Sequence, residues 1–595
     1  MIKAIFFIIS FLILLTGFLI YPKTKEKIEL FSWIVLSVLI VIIFDTFAAG
    51  ICNMVNIPVN IVLLGVSNIF LGIPMIIYSI RNKENIQKYE IDLKNLFVFG
   101  IMYCAICFIA YQRFGTDLYY FRYSNGDSAR HLAAAMNTYN NSFVENMYFT
   151  HLGDSIFMQC AFFLETYELY KAFIAYDIFL LCMQSFMFWI LIQDFFKTKI
   201  LYIIGVFLTF IYVLGYPLNN FIHGTEYWGA GVLIVSIIIY ILKLLKGKKY
   251  SEKLLLGMLL LANVSLSVAY MLFVPSVYVG EFLCLSIDYI KNNKNIKKYV
   301  SRMFIIFVFG TLFFVYYGLN GMLGGVSNSV STTQYVTSLG GWVYKDLYVI
   351  FIPMSVFTIL YFVRVWKNKI NDEVSCIYII SLVQLLFCLA LIIAGKMQTY
   401  YYYKEYYVIM LLIVYVMIKE ISERWNENKE ILCSYMSVYF VVFFISVFGI
   451  ENKLNEKNNE LANPIKGSTL FELYTSNITM IKEKWSNVSD NEQDLYKIIG
   501  ELRTNVNNDI PYLANVTDAW NDIGYIHYYN MTNQAQSTWS SYRVSDDNIV
   551  LKEDVEMLDY ITIMRDSPFY CNNFEWLQTK DIIFDNGIQM VYKLN

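Results

Sequence analysis

FSWIVLSVLIVIIF, Phe31 to Phe44, carries no charged residue, and Lys23, Lys25 and Lys27 stand just before it. A helix needs ~20 mostly apolar residues to cross ~30 Å of hydrocarbon, so this run and its flanks make one crossing. The pattern recurs. Charge-free cores lie at Leu201–Leu214, Phe304–Tyr317, Tyr378–Ala394 and Cys433–Phe448. The 595 residues are 57% hydrophobic and 16% charged, with a mean hydropathy of +0.49. A soluble globule has roughly 25% charged and 45–50% apolar residues. Composition therefore assigns a mainly α, polytopic membrane bundle of about 12–14 helices.

Lys and Arg collect in cytoplasmic loops. Clusters sit at Lys23/Lys25/Lys27, Arg81/Lys83/Lys88, Lys197/Lys199, Lys246/Lys248/Lys249, Lys291/Lys294/Lys297/Lys298, Lys367/Lys369 and Lys419/Arg424. Neighbouring clusters are separated by room for two crossings, which closes at about 14 helices. Residues 254–290 then hold two crossings with an outer turn near Tyr270. Met1 falls outside, and Met1–Tyr21 is a first membrane helix rather than a removed signal. The chain is expected in the cell membrane, multi-pass, with its tail extracytoplasmic.

Four regions follow: 1–112, N-terminal helices; 113–171, an outer loop with short helices; 172–450, a helix bundle; and 451–595, a tail with shorter apolar runs and more Asn, Asp and Glu. The tail predicts a mixed α/β domain: a helix at Gln493–Val506, strands at Ile510–Asn515, Tyr560–Met564, Asp581–Phe584 and Gln589–Leu594, and an Asp-Asn-Gly turn at 585–587. It also holds Asn-X-Ser/Thr acceptor patterns at Asn477, Asn487, Asn515 and Asn530. Net charge is −3, with no field for nucleic acid. The ten cysteines are scattered in apolar runs and serve as core residues. No phosphate-binding GxxxxGK[ST] or GxGxxG motif occurs.

The polar loop concentrates the chemistry. RFGTDLYYFRYSNGDSARHLAAAMNTYNNSFVENMYFTHLGDSIFMQ (113–159) holds His131 and His151, two of the four histidines, with Asp117, Asp127, Glu145 and Asp154. Gly126 suits a turn, and Asp127 or Ser128 an N-cap for a helix over Ser128–Tyr139. Asp127 is equally a candidate general base, because a carboxylate near the low-dielectric headgroup layer can accept a hydroxyl proton. His131, four residues on, shares its helical face. Asp154 is expected to cap a second helix, Ser155–Tyr170. Two helix N-termini at one cleft favour an anion such as phosphate, with Arg113, Arg122 and Arg130 to neutralise it or to meet lipid headgroups. Lys404, inside KMQTYYYYKEYY (396–407), is an outer lysine able to hold a lipid phosphate within an aromatic belt. His223 and Glu226, with Asp127 or Asp154, leave open either a divalent cation such as Mg or Mn or a hydrogen-bonded loop.

Asn125-Gly126-Asp127-Ser128-Ala129-Arg130-His131-Leu132, the many-helix bundle and the terminal run Ile582–Leu594 together resemble the GT-C superfamily of polytopic glycosyltransferases. The likeness covers most of the chain loosely through short motifs, and it departs in one respect. Family members carry the catalytic acid after the first helix, whereas here it follows about the fourth. The resemblance implies inverting transfer of a sugar from a polyprenyl-phosphate donor to a glycan or cell-wall polymer on the outer face. Asp127 would be the base and Asp154 an alternative base or metal ligand, with Lys404, Arg130 or Arg122 on the leaving phosphate. A polymerase or ligase using a polyprenyl-diphosphate glycan, and a lipid-linked glycan flippase or transporter, are the competing expectations.

Overall fold

The computed structural model describes residues 1–21, 27–82, 87–115, 131, 135, 138–139, 149–164, 169–223, 226–247, 250–292, 295–319, 347–368, 372–397, 399–445, 473–474, 477–478, 513–516, 552–556, 560–565, 568–587 and 589–594. The long helices are α1 (Ile2–Ile20), α2 (Leu30–Met54), α3 (Ile61–Arg81) and α4 (Leu93–Phe114). After the short α5 (Phe149–Cys160) come α6 (Tyr170–Ile192), α7 (Lys199–Leu214), the short α8 (Tyr216–His223), α9 (Glu226–Gly247), α10 (Glu252–Ala269), α11 (Val274–Asn292), α12 (Ile296–Phe313), α13 (Leu347–Asn368), α14 (Ser375–Ile393) and α15 (Thr399–Ile445). Among the described residues, eleven helices are long and apolar enough to cross a membrane. Two further long helices join them: α13, of 22 residues, and α15, of 47, which breaks at Asn428 (φ −131°, ψ 30°) into two rods. The expected turn near Tyr270 separates α10 from α11.

Helix direction follows from which connections meet. At one end, here the basic end, strand β1 (Ile28–Glu29) pairs in parallel with β2 (Tyr89–Glu90). Gln193 Nε2 donates to Ser32 Oγ at 3.1 Å, Ser422 Oγ to the Phe195 carbonyl at 2.7 Å, and Trp33 stacks on Tyr250 at 5.1 Å. At the far end, Asn53 Nδ2 donates to Tyr317 Oη at 3.3 Å, and Tyr216 stacks on Tyr407 at 3.9 Å. Helices α1 and α3 run parallel. Gly65 lies against Phe6 and Ser10, Gly72 against Ile13 and Leu14, and Gly17 against Met75. Met1 therefore shares the far end with Ile61, as the charge pattern requires.

Apolar side chains such as Leu12, Phe70, Phe97 and Phe108 face outward, as expected where hydrocarbon is the solvent. Helices α6 and α9 are enclosed almost all round. The basic end also holds an ion cluster. Asp372 caps α14, its Oδ1 accepting from Val374 N and Ser375 N at 3.1 and 2.7 Å. Lys419 Nζ reaches Asp372 Oδ2 at 2.9 Å and Glu373 Oε1 at 3.3 Å. Arg364 and Arg424 both bind Glu420.

In the tail, strands β3 (Leu513–Val516), β4 (Tyr560–Met564), β5 (Asp581–Asp585) and β6 (Gln589–Lys593) form a sheet in the order β3-β4-β6-β5. β3 and β4 are parallel and the other pairs antiparallel. The β5–β6 hairpin turns at Gly587, whose φ of +86° lies in the region glycine favours, and Gly587 N donates to Asp585 Oδ1 at 2.9 Å. Ile561, Ile563, Phe569, Leu577, Met590 and Tyr592 close a small core beneath. The expected helix at Gln493–Val506 lies outside the described residues.

Candidate functional site at the far end of the bundle

Helix α5, Phe149-Thr-His-Leu-Gly-Asp-Ser-Ile-Phe-Met-Gln-Cys160, is about 18 Å long at 1.5 Å per residue, too short to cross. It is nevertheless inserted among α1, α2, α6, α9 and α10. Every side chain from His151 to Ile156 is buried. Gly153 permits this, because a Cβ there would overlap the tip of the Tyr176 ring on α6. The C-terminal half is tied down by Gln159. Its Nε2 donates to Ser155 Oγ at 3.1 Å, and its Oε1 accepts from Ile61 N at 3.2 Å. Asn60 Oδ1 accepts from the next two amides, Val62 and Leu63, at 3.0 Å each. The open N-terminus of α3 is thereby satisfied across the loop.

The helix corrects one expectation. The sequence predicts Asp154 as the N-cap of a helix over Ser155–Tyr170. The structure starts α5 at Phe149, ends it at Cys160, and begins a separate α6 at Tyr170. Asp154 is thus interior to a helix, and no second helix N-terminus opens there for an anion. Its carboxyl is 1% exposed, and neither oxygen has a hydrogen-bond partner among the described residues. Burial, with the neighbouring Asp177 carboxyl adding to it, pushes Asp154 well above the ordinary carboxylate range.

The two loop histidines meet. His131 Nδ1 and His151 Nε2 are 2.8 Å apart, one donating and the other accepting according to tautomer. His131 is partly exposed and His151 buried. Burial first, then His131, pushes the His151 imidazole well below its ordinary value. The described residues of the expected first helix, His131, Ala135, Thr138 and Tyr139, are helical.

Other candidates fare differently. Asp127, Arg122 and Arg130 lie outside the described residues. His223 ends α8 and Glu226 begins α9, with their side chains outside the described part. Lys404 is buried on α15, its Nζ 5.3 Å from the centre of the Tyr407 ring. The described contacts do not join it to α5. Arg113 is also buried, and Nη2 donates to the Ile222 carbonyl at 3.2 Å. That contact satisfies a carbonyl at the C-terminal end of α8. Among the described residues, no group of three or more His, Cys, Asp or Glu side chains is placed to hold a metal ion.

Sequence reasoning missed what surrounds the acids. Asp177 lies inside α6, and its proximity to Asp154 follows from the Gly153–Tyr176 contact. Glu405 beside Lys404 is buried and accepts from Gln384 Nε2, which also donates to the Leu272 carbonyl at 2.7 Å. The chain matches no protein-family model and no curated protein.

Proposed function

We propose that this chain is a membrane glycosyltransferase that moves a sugar from a polyprenyl-phosphate donor to a glycan or cell-wall polymer at the outer membrane face. The observation that carries the reading is the His131–His151 hydrogen bond. It ties His131 to the buried helix α5, and Asp127 stands four residues before His131 in the sequence. The basic connections gather at the opposite end, which supports an outward-facing mouth. Tyr474 and Asn477, in the chain leading to the tail, bind the far end of α7, which supports a tail on that side.

In this reading Asp127 takes the proton of the attacking acceptor hydroxyl as the sugar inverts. The lipid phosphate leaves with its charge neutralised by Lys404, Arg130 or Arg122. A lipid phosphate departs readily, so positioning and charge compensation supply most of the catalysis. Asp154 is sealed from an acceptor, so the base falls to Asp127. The buried carboxyls Asp45, Asp177 and Glu281 within spans favour a second reading, a lipid-linked glycan transporter.

The test is transfer of labelled sugar from polyprenyl-phosphate donors by purified protein in lipid. We expect Asp127→Asn to lose at least about 100-fold. Equal rates would remove Asp127 as the base. Movement of lipid-linked glycan across vesicles without transfer would support the second reading.

A further inference from the structure

Helix α5 buries a carboxylic acid with nothing to hold it as an anion. Asp154 is enclosed, neither oxygen receives a hydrogen bond among the described residues, and no cation stands by it there. Low-dielectric surroundings without a hydrogen-bond donor or counter-charge strongly disfavour a charged carboxylate. The elements around α5 supply no relief. From α6 come the Asp177 carboxyl and Tyr176, the latter against Gly153. From α2 comes Asp45, which acts on Cys160 at the other end of α5. His131 faces His151. Among the described residues, α1, α9 and α10 bring no charged group that acts on Asp154 or His151.

We propose that Asp154 is a proton-binding site that couples the seating of α5 in the bundle to pH: the helix seats with Asp154 uncharged and is released when that carboxyl ionises. The inference stands whether or not the chain transfers sugar. The direction follows from linkage. Asp154 holds its proton more tightly when seated than when free in water, so seating absorbs a proton. The seat is at full strength below the ordinary carboxylate range. It weakens as pH rises through that range towards the seated value, and levels off above it. Gly153 and Tyr176 form the bearing surface, and Gln159 on Ile61 is the tether at the far side of the helix.

The test is hydrogen exchange of amides 152–160 in the full chain in lipid nanodiscs, corrected for the intrinsic rise of exchange with pH. It is run above about pH 7, clear of the range where a free histidine titrates. In the native chain the opening constant should rise by up to about tenfold per pH unit until Asp154 ionises in its seat. In Asp154→Asn it should not change with pH. Asp177→Asn removes the like charge, lets Asp154 ionise in place sooner, and should end the rise at a lower pH. This second variant carries the test if Asp154→Asn does not fold. A native chain whose protection is flat with pH, or an Asp154→Asn or Asp177→Asn chain with the native profile, overturns the proposal.

Discussion

His131 Nδ1 and His151 Nε2 face each other at 2.8 Å, so the two rings share a single proton between them while both are neutral. His151 is buried and pushed well below its ordinary value by burial and then by His131. The sign is the reverse of a histidine paired with a carboxylate. The folded imidazole stays neutral while the unfolded one gains a proton below about pH 6.5. Stability is whole above that pH and is lost as pH falls towards the folded value, by at most about 1.4 kcal/mol per pH unit for one proton. Over thermal melts in detergent between about pH 7.5 and 5 the buried Asp154 carboxyl acts with the opposite sign, so the His151 contribution is read as a difference: the native midpoint should drop relative to that of His151→Gln, which cannot titrate, as pH falls. A constant difference between the two chains would assign the acid sensitivity elsewhere.

Gly153 touches Tyr176 so closely that a methyl has nowhere to go. Gly153→Ala must displace the ring, which packs on Phe157 and Phe179 at 5.0 and 6.0 Å. Overpacking of this kind costs about 1–3 kcal/mol, although alanine favours a helix over glycine by about 1 kcal/mol. The net expectation is a lower melting temperature. Tyr176→Ala combined with Gly153→Ala should cost less than the sum of the two single changes, because both act on one contact. Strictly additive losses would show that Tyr176 is not what Gly153 accommodates.

The crossings were legible because hydrocarbon leaves the chain few options. Backbone groups must bond within each helix, and charge is driven to the ends, so Lys23, Arg81, Lys197 and Lys246 punctuate the spans. Asp154 was misread for a reason of the same kind. Gly153-Asp154-Ser155 has the local chemistry of a helix start, and only Tyr176 on a different helix decides that Gly153 belongs inside one. The Asp372–Glu373–Lys419 cluster was legible in part. An acid before an apolar run signals a cap, but the sequence does not say that Lys419, read only as a cytoplasmic marker, turns inward to meet it.

Lys419 keeps two adjacent buried carboxyls ionised. Burial alone would raise Asp372 and Glu373, and Lys419 with the surrounding donors outweighs it, holding both below their ordinary values. Tyr361 Oη donates to Asp372 at 2.5 Å and Tyr415 Oη to Glu373 at 2.6 Å. Lys419→Met should cost about 3–5 kcal/mol at neutral pH, because it leaves sealed charges uncompensated. Depressed carboxyls give stability that is present above about pH 4 and lost as pH falls through their folded values. The deficit of Lys419→Met should therefore shrink in acid. Asp372→Asn and Glu373→Gln added to Lys419→Met should restore much of the melting temperature at neutral pH. A deficit independent of pH, with no recovery, would mean that lost packing of the lysine stem dominates.

Asn477 carries an acceptor pattern for N-linked glycan, yet it is fully buried. Its Nδ2 donates to the carbonyls of Leu214 and Gly215 at 2.8 and 2.9 Å, and its Oδ1 accepts from Asn219 Nδ2 at 2.9 Å. Those carbonyls close α7, where the helix has no partners of its own, and Tyr474 Oη donates to the Ile211 carbonyl one turn earlier at 3.1 Å. A glycan on Nδ2 would break both donated bonds and has no room. Expressed through a glycosylating secretory route, the protein should carry no sugar at Asn477 by peptide mass spectrometry. Asn477→Asp keeps the shape but turns the donor into an acceptor facing two carbonyls. It should cost about 1–3 kcal/mol and raise proteolysis in the 446–476 segment that joins α15 to this anchor. A glycosylated Asn477 in folded protein, or an Asn477→Asp chain as protease-resistant as the native one, would show that the anchor does not hold the tail to the bundle.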